Sequence, residues 1–255
     1  MNLTAEQQTL LASIPDPMFR QTTRDFCVNQ QFRKDYWVKG CRTLTALEQA
    51  EALRGQRILL AQPRADVGLK VTGSLGEATL QEAVYGPILD QLADHKPKTL
   101  GQLEQALKAT PGTQSLSFAQ ILQAAMVLSA TGAVQAVQDD AVVQKAKKRT
   151  DRLNVYLMTK ARSSNELSYL ASPVTGGGVT VPRFQQLFLL AKQQGHKHPQ
   201  DWANFVWNIL ALQNQRLVKD GKTLETVEEN LAELTAQASE FAEKQLPIFK
   251  ALQIA

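Results

Sequence analysis

The 255 residues contain only two cysteines, Cys27 and Cys41, too few for a disulfide framework and too far apart for a Cys-x-x-Cys redox or metal pair. Histidine is almost as scarce. Of the three present, His196 and His198 flank Lys197 with Asp201 as their one close acid, and His95 lies far away in sequence. No third ligand completes a metal site there, so the pair reads as a loop. Aromatic residues make up 6% of the chain, which announces no base-stacking platform. The longest apolar runs, such as LFLLA at 187–191, fall far short of the roughly 20 residues a membrane span requires. The opening MNLTAEQQTL lacks a basic start followed by an apolar stretch, so no signal peptide is expected and the setting reads as cytoplasmic. No Walker loop, HExxH helix or nucleophile elbow occurs. The triplet Gly176-Gly177-Gly178 lacks the Lys-Ser or Lys-Thr ending of a phosphate loop and reads as backbone freedom at a tight crossing.

What remains is ample material for a globular chain. Hydrophobic residues make up 44% of 28.2 kDa, and the net charge is a mild +4. That charge is uneven: residues 142–162 hold Lys145, Lys147, Lys148, Arg149, Arg152, Lys160 and Arg162 against the single acid Asp151. A solvated helix face is the ordinary reading of such a run. Much of the aromatic content is gathered between 18 and 38, where Phe19, Phe26, Phe32, Tyr36 and Trp37 lie among Arg20, Arg24, Arg33 and Lys34. Rings and arginine stems covering one another are expected to pack against the body of the protein, with partner contact as the alternative. Cys27 falls within this helix, and Cys41 sits in an electropositive stretch without a histidine to form a dyad.

Periodicity divides the chain into an N-terminal helical segment (1–56), a winged-helix-like domain (57–140) and an all-helical C-terminal domain (141–255), mainly α with a small β component. RILLAQ and GLKVTG, separated by the turn from Pro63 to Asp66, read as a hairpin. A helix through GEATLQEAVYGPILDQLADH, a short helix capped by Thr99, and a third helix capped by Ser117 and ending at Gly132 follow, then GAVQAVQ as a strand. This is winged-helix order, but the third helix carries no Lys or Arg for phosphates between Ser117 and Ala130. The unit therefore reads as a protein-interaction module, with nucleic-acid binding through the basic run 142–162 as the alternative. Beyond it, helices are expected over 142–162, 182–194, 199–219 and 223–245, the last capped by Thr223. A loop at Ser172–Val179 and an Asp220-Gly221 turn interrupt them.

Three motifs in this chain resemble a known family, the methyltransferase regulatory domain that forms the C-terminal accessory region of bacterial S-adenosylmethionine-dependent methyltransferases, including outer-membrane-protein lysine methyltransferases. The first is RDFCVNQQFRKDYW at 24–37, where Asp25, Phe26, Asn29, Phe32 and Arg33 match and Gln30 departs from an arginine. The second is Ser172-Pro173-Val174 with Gly176, Gly178 and Val181-Pro182-Arg183. The third runs from Asn214 through Gln215, Arg216, Lys219, Asp220 and Gly221 to Glu225, Glu228, Glu229 and Asn230, closing with Leu246-Pro247 and Leu252. None of these is a catalytic motif. The resemblance implies a non-catalytic regulatory or protein-substrate-recognition module whose partner is a methyltransferase catalytic domain, in cis or in trans, with protein substrate as a further partner. No cofactor or metal site is implied in this chain, because the glycine-rich loop that holds the methionine moiety of the cofactor has no counterpart here. Asp25, Asn29 and Arg33 are expected to organise the seam with the partner domain, and Arg216, Lys219 and Asp220 to form a second polar cluster.

Overall fold

The computed structural model describes residues 3–33, 35, 37–40, 42–73 and 76–255. Helices dominate it: α1 (Ala5–Ser13), α2 (Pro17–Cys27) and α3 (Ala46–Arg54) precede a small sheet-containing unit, and five longer or shorter helices follow it. Local chemistry explains most starts. Thr4 with Gln7, Thr45 with Glu48, Thr99 with Gln102, Ser117 with Gln120 and Thr226 with Glu229 each form a capping box that satisfies two orphan amides at once.

The first core is built around β1 (Arg57–Leu60), which lies between β4 (Lys98–Thr99) and β5 (Val134–Ala136) in an antiparallel sheet. Ile58 and Leu60 point into a layer made by α4 (Glu82–Leu92), α5 (Leu100–Ala109) and α6 (Phe118–Ala130). Leu59, one residue out of phase, points the other way into the second core. A strand buried on both faces needs an unbroken apolar run, which is what RILL supplies. The pairing differs from the expected hairpin. GLKVTG does not join RILLAQ; β2 (Lys70–Gly73) pairs with β3 (Gly76–Thr79), and the helix expected from Gly76 begins only at Glu82. The short turn of 3-10 helix at Arg64–Asp66 redirects the chain before β2, so β1 is free to take partners from further along. A winged helix closes on a strand pair after its third helix. Here β5 leads directly into α7 (Asp140–Lys160), and the central strand of the sheet comes from before the helices.

The C-terminal half is not wholly helical. The expected loop at 172–179 is a hairpin, β6 (Tyr169–Ser172) with β7 (Gly177–Thr180), and a second hairpin pairs β8 (Val218–Lys219) with β9 (Lys222–Thr223). Periodicity misses the first because Ala171, Gly177 and Gly178 are poor strand formers, for which side chains compensate, and the second because its strands are only two residues each. Buried Asn154 accepts from the Ala171 amide at 2.7 Å and donates to its carbonyl at 2.8 Å, standing in for a neighbouring strand. Thr223 lies in β9, and Thr226 caps the helix that follows.

Around these hairpins pack α7, α8 (Arg183–Gln193), α9 (Pro199–Leu212) and α10 (Val227–Glu240), the last running through a π-helical turn at Phe241–Gln245 into α11 (Leu246–Ala251). Pro247 has no amide to offer the Glu243 carbonyl four residues earlier, a break of the kind that π turns accommodate. Phe241 is the hub of the second core. Its ring lies 5.6 Å from Phe188, 5.9 Å from Phe249 and 6.0 Å, edge on, from Trp202. Among the described residues no helix is long and apolar enough to cross a membrane.

Candidate docking surface

The aromatic segment does not pack inward as expected. Asp16 caps α2 by accepting from the Phe19 amide at 2.6 Å, and Pro17 presets the first turn. Along the helix Met18, Phe19, Thr22 and Phe26 share one face by their spacing. That face meets solvent: Phe19 is 61% exposed and Phe26 83%, and no residue of α2 is buried. Phe32 and Trp37, beyond the helix, are 84% and 88% exposed. The Arg20 guanidinium donates to the carbonyl of Ile14 at 2.7 and 2.9 Å, bracing the link between α1 and α2 with its polar side. The helix is thus held from its hydrophilic edge while its apolar stripe is left bare. Lys34, Tyr36 and Cys41 lie outside the described residues.

The polar residues of the first motif shape the end of this helix. Asn29 adopts φ 51°, and the amides of Asn29 and Gln30 donate back to the carbonyls of Phe26 and Asp25 at 3.2 and 2.9 Å. That is a Schellman stop, for which Asn is the usual substitute for glycine. Arg33 then folds back, with Nη1 3.1 Å from Asp25 Oδ2 and Nε 2.8 Å from Asp35 Oδ1. Its pKa is raised, chiefly by the hydrogen bond to Asp35 and the charge beside it.

The second and third motifs meet each other rather than the first. Arg183 donates to the carbonyls of Ala161 and Arg162 at the end of α7, at 2.8 and 3.1 Å, and to the side-chain oxygens of Gln215 and Gln213 after α9, at 3.1 and 3.2 Å. Burial pulls its pKa down. Ser172 Oγ, fully buried, donates to the Leu252 carbonyl at 2.7 Å and accepts from the amides of Val174 and Thr175, tying β6 to the C-terminal segment. Pro173 follows it into the tip of the hairpin, where Gly176 has φ +73° and a Cβ there would stand 2.9 Å from Gln138 Nε2. Gly178 pairs with Ala171 in the ladder.

Asn214 ends α9 as Asn29 ends α2, with φ 51° and the Gln215 amide returning to Leu210 at 2.9 Å. Asp220 and Gly221, at φ 49° and 76°, make the two-residue turn between β8 and β9. Lys219 bonds Glu233 at 2.6 Å, which raises the lysine pKa and lowers that of the carboxylate. Arg216 lies with its guanidinium carbon 5.2 Å from the Trp207 ring centroid. Asn230, which closes the polar part of the third motif, also fastens this hairpin to α10. Fully buried, it accepts from the Leu217 amide at 2.9 Å and donates to the carbonyls of Leu224 and Thr226, both at 2.7 Å.

The backbones of His196 and His198 take part in local structure. The His196 carbonyl accepts from Trp202 Nε1 at 2.9 Å, and the His198 amide donates to Asp201. Among the described residues no group of three His, Cys, Asp or Glu side chains could hold a metal. A second apolar surface lies beside α6. There Leu53, Ile58, Leu100, Leu122 and Met126 line a shallow groove of about 580 Å³, and Met126 is 64% exposed.

Residues 1–39 match the family model described as a predicted methyltransferase regulatory domain. The match takes in the first motif and all of α2, while the second and third motifs lie outside it. Over 254 residues the chain is 38% identical to an uncharacterized protein of Synechocystis sp., an alignment that covers 100% of this chain and 48% of that protein. The chain thus spans about half the length of this relative. No solved structure matches.

Proposed function

We propose that the chain is a non-catalytic regulatory or substrate-recognition module of an S-adenosylmethionine-dependent methyltransferase, and that it meets the catalytic domain through α2. One observation carries this reading: the segment matching the regulatory-domain family holds a helix whose whole apolar face is exposed. Amphipathic helices of this kind bury their stripe against a partner groove. Large exposed apolar patches mark such interfaces more often than free surface. Arg33 and Asp25, at the end of the helix, would then set the angle at which the chain leaves the seam. The half-length coverage of the relative supports the reading, since it leaves room in such proteins for another domain.

The test uses the full-length homologous enzyme. Replacing Phe19 and Phe26 with Ser should weaken methyl transfer or release the module from the catalytic domain while leaving its own fold intact, because neither ring contributes to a core. Unchanged turnover with an unchanged association would refute the assignment. Titrating S-adenosylmethionine into the isolated chain should give no binding heat, and a measurable heat would place a cofactor site in this chain and overturn the accessory role.

A further inference from the structure

The basic run on α7 has a geometry that the docking role of α2 does not use. Lys145, Arg149, Arg152, Tyr156 and Lys160 recur at helical spacing and are all exposed, with Lys148 beside them. Among the described residues none of these five cations takes part in an ion pair, whereas Lys147, a third of a turn away, is bonded to Asp151. Residues 142–162 hold seven cations and one acid, so the rest of the chain has 21 cations against 23 acids. The net positive charge of the protein is thus entirely the property of this one helix and its end. Asn154 and Met158 face inward and fix the helix to the second core, which holds the ridge in place.

We propose that this ridge is a docking surface for an acidic amphipathic helix of a partner protein. Three features select that occupant. Lys145, Arg149 and Arg152 follow a 4-3 spacing and Lys160 lies about two turns further on, over about 22 Å of helix axis in all, so an adjacent helix with carboxylates three and four residues apart can meet the first three in turn. Apolar groups are interleaved with them: Val142 is 48% exposed, Leu153 47% and Tyr156 58%. A protein helix offers side chains to cover these, and a phosphate backbone does not. Asp139 and Asp140 are exposed at the start of the helix, Asp140 paired with Arg57 at 2.8 Å, so the positive ridge ends there, as a partner helix of limited length requires. The inference concerns a different surface from the α2 stripe and stands independently of the methyltransferase reading.

The experiment is fluorescence anisotropy on the full chain with four probes. These are a synthetic peptide of roughly three acidic amphipathic heptads, the same peptide with Gln for every Glu, a mixed-sequence DNA duplex, and vesicles of phosphatidylglycerol. The acidic peptide is expected to bind at least ~10-fold tighter than the Gln peptide, and its affinity is expected to fall steeply with added salt. The triple change Lys148→Glu, Arg149→Glu and Arg152→Glu should abolish that preference. These side chains make no ion pair, so the helix should persist by circular dichroism, and the neutral changes Lys148→Gln, Arg149→Gln and Arg152→Gln should give an intermediate loss. Equal binding of both peptides, or acidic-peptide binding that survives the reversal, would overturn the proposal. So would tighter binding of duplex or vesicles than of the acidic peptide, which would reassign the ridge to nucleic acid or membrane.

Discussion

Asn230 offers the sharpest test of how the C-terminal half is built. Its fully buried amide holds three backbone groups, and two of them, the Leu217 N–H and the half-buried Leu224 carbonyl, have no other partner among the described residues. The Thr226 carbonyl keeps its helical bond from the Asn230 amide at 3.3 Å. Asn230→Ala therefore strands one donor and one acceptor, each worth about 1–3 kcal/mol when buried and unpaired. Water entering the space left by the side chain would recover part of this, so the expected loss is about 2–4 kcal/mol. For a chain of this size that is a fall in Tm of roughly 5–15 °C. Asn230→Asp should be worse at neutral pH, because its second oxygen would face two carbonyls. The folded-state pKa of that new carboxyl would be raised, so the native state would hold its proton to higher pH than the unfolded chain. Stability of the Asp variant should then fall as the pH rises above ~3.9, the unfolded-state value, whereas the Ala variant should show no such added dependence. Urea unfolding across pH reads both. A loss below ~0.5 kcal/mol for the Ala variant would mean that the hairpin does not depend on this residue.

Three further outcomes follow from the geometry. Glu104, 10% exposed at its side chain, links α5 to α3 through Arg54 at 2.7 Å and also meets Lys108 at 2.8 Å, and these bonds lower its pKa. Its contribution is present above the unfolded-state pKa of ~4.3 and lost as the pH falls through the folded value, so Glu104→Gln should cost about 1–2 kcal/mol at pH 7 and flatten the acid side of the stability profile. An acid limb identical to that of the parent would refute this. Gly176→Ala should cost about 1–2 kcal/mol from the left-handed backbone alone, and adding Gln138→Ala, which removes the group 2.9 Å from the new methyl, should not rescue it. Full rescue would show that crowding, not φ, fixes the glycine. Phe19→Ser and Phe26→Ser should each change stability by less than ~0.5 kcal/mol, and a larger loss by thermal unfolding would mean that these rings are covered in the isolated chain.

Helix positions were legible in the sequence wherever a cap and an apolar period agreed, as at Thr99 and Ser117. The sheet was not, because its central strand finds both partners far along the chain, Lys98 and Thr99 on one side and Val134 to Ala136 on the other. No local pattern encodes such a pairing, and a hairpin with the next apolar run is the natural local guess. The two C-terminal hairpins were hidden for a different reason. Their strands draw hydrogen-bond partners and anchorage from side chains outside them, Asn154 for β6 and Asn230 for the segment around β8, so their own residues need little strand preference.

The aromatic segment failed the other way round: its composition was read correctly as amphipathic, and its burial was not. Amphipathicity states that a face must be covered and says nothing of what covers it. In the described structure the polar residues of the second and third motifs close on one another, Arg183 on Gln215 and Ser172 on the Leu252 carbonyl, and so consolidate the C-terminal body. The first motif does the opposite. Asn29 stops α2 and Arg33 pins the chain back on Asp25, so the helix is defined at its polar end while Phe19 and Phe26 stay in water. Fully covering a large side chain is worth about 1.5–3 kcal/mol, so a partner that took both rings would gain several kcal/mol before its own ordering costs. A helix that is already ordered while its apolar face is uncovered has met part of the entropy cost of any association it makes.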